Sequence, residues 1–435
     1  MRHALVQTTE AKTTHSIDAA IESALQECIK NNKELARFED EAETKTACRL
    51  IHFLDSIELE QTSQLESALK KANFHLLEAS IVSRTFFLPG HYLPKIVLKD
   101  SATPFMSVSM RVENIGDFFS KRGLFAIIEG SPCGLFRKAL ISRENGISFW
   151  AVERKLATVT EATEIGAEAA IKRLRCKELW QTRPRNCSYE DSLDCLQEAS
   201  IRAKEMAKEI GKAEAARLIL EVEQQYWQAK NMAAQIQYNR QNSLGLGWQN
   251  CIQVTLRSSR KYHCLVVRLL EILGFCPCSS FYHGENIGVS THCFEQPEAG
   301  IRILLEVDMS HAESHTCDPH TPLQDWPVAG PVDLWCALQG ESLLGAGLYS
   351  LAIACDVESI KKDFQKMGFD CQAATIQDPS LCCAQTCVSW TPRPDRLKVA
   401  LTKKLLSLDN AKKLAVAGFE GSKLLFVERE LYIAT

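Results

Sequence analysis

The chain has 435 residues, enough for two or three domains with sizeable cores. Its 46% hydrophobic and 24% charged content is ordinary for a globular protein, and a net charge of −4 gives no electrostatic drive toward nucleic acid or a membrane surface. No stretch approaches about 18 uninterrupted apolar residues and the first thirty hold no apolar core of signal-peptide length, so the eighteen cysteines read as reduced thiols and a cytoplasmic protein is expected.

Residues 1–48 read as a polar helical extension in which Ile17, Ala20, Ile21 and Leu25 form a stripe behind Ser16 as a cap. From Asp55 a strand carries Ile57 and Leu59, a helix carries Leu65, Ala68 and Leu69, and extended runs follow at 81–88 and 95–99. A clearer copy starts at Phe105, with a strand over 105–112, a helix near 114–121, and strands over 124–129, 136–142 and 147–154. Asn145-Gly146 between the last two is a strong hairpin signal. Residues 49–157 are thus expected to form a pair of βαβββ modules.

A helical linker is expected over 158–247. It has a helix near 161–180, the breaker Arg183-Pro184-Arg185, and a run over 191–241 with no proline and only Gly211. Leu196, Ala199, Ala203, Met206, Ile210 and Ala213 recur there at three- and four-residue steps, so the run is one long helix or a helical hairpin. It either braces the two halves or joins two copies of the chain in a homodimer.

The C-terminal pair spans 248–435. Ile252, Val254 and Leu256 alternate with Gln253, Thr255 and Arg257, the pattern of a half-buried strand. Leu265, Leu269 and Ile272 then recur at helical spacing as far as Gly274, and extended runs follow near 279–283, 287–295 and 301–308. A fourth copy begins with a strand at Tyr349 and a helix over 359–367, and a charged helical insertion over 393–413 precedes its last strand over 423–431. Ala151-Val152-Glu153-Arg154 and Phe426-Val427-Glu428-Arg429 close the second and fourth copies alike, as module duplication predicts.

The βαβββ order, with Gly274-Phe275 at the helix end and Leu305-Glu306 on the last strand, resembles a module of the vicinal oxygen chelate superfamily, which includes the glyoxalase I and extradiol-type dioxygenase families. The resemblance implies an α+β protein of two paired, cup-shaped mixed sheets, with a divalent metal held by the first and last strands of paired modules. Gln253-Val254-Thr255-Leu256-Arg257 looks like the first metal-bearing strand of glyoxalase I, which makes Gln253 a ligand and Arg257 the partner of a substrate carboxylate. Glu306 and Glu428 stand at the carboxylate positions, each free to act as a base when displaced. Ser350 departs from the pattern, since a histidine occupies that position in glyoxalase I and in 4-hydroxyphenylpyruvate dioxygenase.

A donor set of one amide oxygen and two carboxylates suits Mg²⁺, Mn²⁺ or Ca²⁺ more than Fe²⁺ or Zn²⁺. The expected activity is that of a glyoxalase- or dioxygenase-like enzyme acting on a small oxo-acid or vicinal-oxygen substrate, with His292 as a further substrate contact. The competing expectation is a non-catalytic member that binds a small molecule or supports an assembly, its carboxylates paired with Arg257, Arg302 or Arg429. His311-Ala312-Glu313-Ser314-His315 has zinc-helix spacing but reads as a loop, and Cys276, Cys278, Cys382, Cys383 and Cys387 lack the spacing of common structural zinc sites.

Overall fold

The computed structural model describes residues 2–88, 93–99, 106–284, 287–326, 329–368, 372–375, 378–383, 389–390, 392–417 and 419–420. The protein is α+β, with two seven-stranded mixed sheets, and divides into two compact units. One comprises Met1–Ile165, Gln237–Cys251 and Ala354–Ile360; the other comprises Gly166–Ile236, Ile252–Ile353 and Lys361–Thr435.

In chain order the first unit opens with α1 (Arg2–Asn31), α2 (Lys33–Thr46), β1 (Leu54–Glu60), α3 (Ser63–Lys71), β2 (His75–Ala79), β3 (Ser83–Phe87) and β4 (Lys95–Lys99). It continues with β5 (Met106–Arg111), α4 (Ile115–Arg122), β6 (Phe136–Glu144) and β7 (Ile147–Arg154). The helix boundaries follow from local chemistry. Asn32 and Asn114 accept hydrogen bonds from the Leu35 and Asp117 backbone N–H groups, and Gly123 ends α4 at φ 62°. The Asn145-Gly146 hairpin forms as expected, both residues having positive φ.

The first sheet has the order β2-β3-β4-β1-β5-β7-β6, with β1 parallel to β4, β5 parallel to β7, and β1 antiparallel to β5 where the two modules meet. The strand expected over 124–129 is reduced to one bridge between Glu129 and Lys138. Phe125 and Ile127 lie fully or almost fully in solvent there, so the run buries too little to extend the sheet. Ile57, Ile96, Leu98, Val108, Met110, Phe149 and Ala151 share one buried face of the sheet, where Phe149 meets Phe38 of α2.

Then come α5 (Ala167–Gln181), α6 (Ser192–Ile210), α7 (Lys212–Ala229) and α8 (Met232–Ser243). The run read as one helix or a hairpin is three helices, broken at Gly211 with φ 85° and again at Lys230-Asn231. Within the second unit α5, α6 and α7 pack on one another, and α6 packs on the helix of the third module. The supposed breaker at 183–185 is also a buried ion cluster. Arg183 Nη2 and Arg185 Nη2 donate to Glu223 Oε1 over 2.6 and 2.8 Å, and Trp180 Nε1 donates to the same oxygen. One cysteine pair, Cys187 and Cys195, is joined as a disulfide rather than reduced.

The chain continues with β8 (Cys251–Arg257), α9 (His263–Ile272), β9 (Cys276–His283), β10 (Ile287–Gln296), β11 (Ile301–Ser310), α10 (His311–Thr316), α11 (Pro331–Gln339), β12 (Ser350–Ala354) and α12 (Val357–Lys366). After these come β13 (Gln372–Thr375), β14 (Asp378–Cys383), β15 (Ser389–Trp390), α13 (Pro394–Thr402), α14 (Leu408–Ala417) and β16 (Phe419–Glu420). The second sheet has the order β13-β14-β12-β8-β11-β10-β9, again with a parallel first and last strand, β8 and β11, in the third module. The segment read as a loop at His311 is the short helix α10, closed by a capping box between Ser310 and Glu313. Residues 421–435, the expected last strand with its Phe426–Arg429 repeat, lie outside the described residues.

Candidate functional site: two sheet faces

The second sheet brings together some of the expected site residues and separates others. The β8–β11 register sets Arg257 opposite Glu306, and Arg257 Nε donates to Glu306 Oε2 over 2.8 Å. The Arg257 guanidinium also lies 3.5 Å from the centre of the Tyr349 ring, on a side chain only 3% exposed. Gln253 is four residues earlier on β8, roughly 13 Å away along a strand that rises about 3.3 Å per residue. Side chains stand roughly perpendicular to a sheet and a pair of oxygen–metal bonds spans only about 4–5 Å, so one ion does not touch both Gln253 and Glu306. Gln253 Nε2 is buried and has no hydrogen-bond partner among the described residues. Glu428 lies outside the described residues.

His292 is on the other side of this sheet. It pairs with Leu305, one residue out of step with Glu306, and its ring lies 5.2 Å from that of His263 on α9. Burial drives both imidazoles well toward the neutral form, His292 to about 4 and His263 to about 3.

The face shared by Arg257, Glu306 and Asp308 is covered by α11. Asp308 Oδ1 and Oδ2 accept hydrogen bonds from the Val332 and Asp333 backbone N–H groups at the start of that helix, over 3.1 and 2.7 Å. A Cβ at Gly330 would stand 2.2 Å from the Asp308 Cγ, so glycine is needed for this approach. Val332, Leu334, Trp335 and Leu338 join Val289, Tyr349, Ala400 and Leu414 in one apolar cluster, with α13 backing the helix. The acids at and around this helix hold their protons unusually well. Burial raises Asp308 to about 7, Asp333 to about 6 and Glu341 to about 7.

The face of the first sheet opposite its helices differs. Along β1, β4 and β5, Ser56, Glu58, Val97, Lys99, Ser107, Ser109 and Arg111 are half-buried, alternating with fully buried apolar neighbours. A β-bulge between Leu54 and Ser56 turns Asp55 onto this face. Arg154 grips Asp55 through two hydrogen bonds of 2.7 Å, its guanidinium 4.3 Å from the centre of the Phe136 ring. Two further cations share that single carboxylate. Lys95 Nζ donates to the Ala157 carbonyl oxygen over 2.5 Å, and Arg111 Nε donates to the Leu54 carbonyl oxygen over 3.0 Å.

The electrostatics follow from the numbers of charges. Burial and the neighbouring cations Arg154 and Arg111 bring the Lys95 ammonium down to about 7 despite the attraction of Asp55. Burial lowers Arg111 as well, while Arg154 and Lys95 hold Asp55 well below the usual carboxylate range against its own burial. Ser56 pairs with Lys95 on one side and Ser109 on the other, which sets two hydroxyls beside the cations. Sequence reasoning passed over Lys95, Arg111 and Arg154. A cation recurring on the polar parity of three strands was the available signal.

No family model matches the chain, and no curated protein does. Among solved structures, a triple mutant of 4-hydroxymandelate synthase from Streptomyces coelicolor is similar over 84% of this chain and 83% of that one, at 10% identity and a TM-score of 0.22. A likeness at that level carries no argument about activity. No helix among the described residues is long and apolar enough to cross a membrane.

Proposed function

We propose that the chain is a non-catalytic binding protein for a small anion, of the carboxylate or phosphate class, held on the polar face of the first sheet. The observation that carries this reading is the charge mismatch on that face, where, among the described residues, Lys95, Arg111 and Arg154 share only Asp55. Cations removed from water without enough counter-charge are costly, and an anion placed among them supplies both the missing charge and acceptors for their N–H groups. The Ser56 and Ser109 hydroxyls add neutral donors.

The glyoxalase- or dioxygenase-like reading, with a divalent metal on Gln253, Glu306 and Glu428, does not fit the second sheet. Gln253 and Glu306 stand too far apart, Arg257 already neutralises Glu306, and α11 covers the face. No catalytic step is therefore derived through a metal there. Calorimetric titration with inorganic phosphate and with oxalate tests the binding reading at about pH 6.5. Saturable heat that disappears in an Arg111→Met protein is the expected result; the absence of heat from either anion at millimolar concentration would defeat it.

A further inference from the structure

We infer that Cys278, Cys293 and Glu295 form a binding site for a thiophilic divalent cation of the zinc class, at the β9–β10 edge of the second sheet. The site is separate from the anion face and does not depend on it.

The register builds the cluster. β10 pairs antiparallel with β9, Cys293 opposite Ser279 and Glu295 opposite Cys276, and a bulge between Cys293 and Phe294 sets Cys278 against Cys293 as well. The two sulfurs and one Glu295 carboxylate oxygen lie within 4.8 Å of one another, and this is the one such group of three among the described residues. Ligand sulfurs around a tetrahedral zinc, with bonds of about 2.3 Å, sit roughly 3.8 Å apart, so a small inward shift of the exposed Cys278 completes the geometry. Cys278 Sγ already points inward, lying 3.4 Å from the Cys293 carbonyl oxygen.

Arg302 donates from both Nε and Nη2 to Glu295 Oε1, over 3.0 and 2.5 Å, which fixes the carboxylate while leaving Oε2 for an ion. Metal binding forms two metal–sulfur bonds and one metal–oxygen bond and sends both thiol protons to solvent. Water fills the fourth position. Sequence spacing hid this site, because its cysteines are fifteen residues apart and meet only through strand pairing.

The test is titration of the reduced, metal-free full chain with Co²⁺, followed by displacement with Zn²⁺. One equivalent should produce a near-ultraviolet thiolate-to-cobalt charge-transfer band that Zn²⁺ abolishes. Cys278→Ser, an exposed and conservative change, and Cys293→Ser should each remove the band while circular dichroism stays unchanged. Glu295→Gln should weaken Co²⁺ binding at least about tenfold, and Cys276→Ser should leave it as in the parent. Absence of the band in the parent, or its persistence in folded Cys278→Ser protein, overturns the assignment and in the second case moves the metal to other cysteines. Anion titration of the same variants should be unchanged, so the two readings fail separately.

Discussion

Replacing Arg111 with methionine separates function from stability. Arg111 makes one hydrogen bond, to the Leu54 carbonyl oxygen, worth about 1 kcal/mol net. Its attraction to Asp55 is opposed by burial and by Arg154, which keep its guanidinium below the usual arginine range. Removing it should therefore change the unfolding free energy by no more than about 1 kcal/mol in either direction. Binding should respond far more. An anion about 4 Å from the guanidinium gains roughly 4 kcal/mol of gross attraction at an effective dielectric of about 20, of which about 1.5–3 kcal/mol survives desolvation as a charged hydrogen bond. Affinity for phosphate or oxalate should fall roughly 10- to 150-fold, since each 1.36 kcal/mol is about a factor of ten. Urea unfolding and calorimetry on the same preparation measure both quantities. Destabilisation beyond about 3 kcal/mol would show that Arg111 is a structural group, and unchanged affinity would remove it from the site.

Other expectations follow from the same charges. Lys95 has a folded pKa of about 7, below that of a free lysine, so the unfolded chain binds more protons between about pH 7 and 10.4, and its contribution to stability rises with pH across that window. A bound anion pulls the pKa back up, so affinity should weaken above about pH 7, and calorimetry near pH 8 in buffers of different ionisation enthalpy should show proton uptake on binding. Asp55→Asn leaves the cations without their shared carboxylate and should cost about 3–5 kcal/mol by chemical denaturation. Asp55 is held below its ordinary pKa, so the stability it supplies is present above about pH 4 and is lost as pH falls through its folded pKa. In the second unit, Glu306→Gln strands a buried arginine and should cost about 1–3 kcal/mol while leaving metal content by plasma mass spectrometry unchanged.

The third module was legible because its period changes from two to 3.6 and back within one stretch, and Gly274 takes the positive φ that ends α9. Register was not legible. Nothing local says whether Gln253 or Arg257 stands opposite Glu306, and that four-residue difference decides between a ligand set and an ion pair. The face on which His292 stands was not legible for a related reason, since one step along β10 exchanges the two faces of the sheet. The capping box that makes α10 a helix was present as Ser310 and Glu313 but was outweighed by the polar composition that follows. The segment that forms α11 carries its own signals, Gly330 and Pro331 before an apolar run, yet nothing in them says which surface it covers.

Helix α11 acts as a tethered occupant of the second sheet. Any free molecule competing for the surface around Arg257 meets an intramolecular rival whose effective concentration is set by a short connection, on the order of millimolar or more. It must also replace the burial of Val332, Leu334, Trp335 and Leu338, each worth about 1.5–3 kcal/mol. Changes confined to the residues of the sheet leave that competitor in place. Opening the surface to small molecules requires loosening the helix itself, and Asp308→Ala, which removes the acceptor at its first turn, is the smallest lesion that does so.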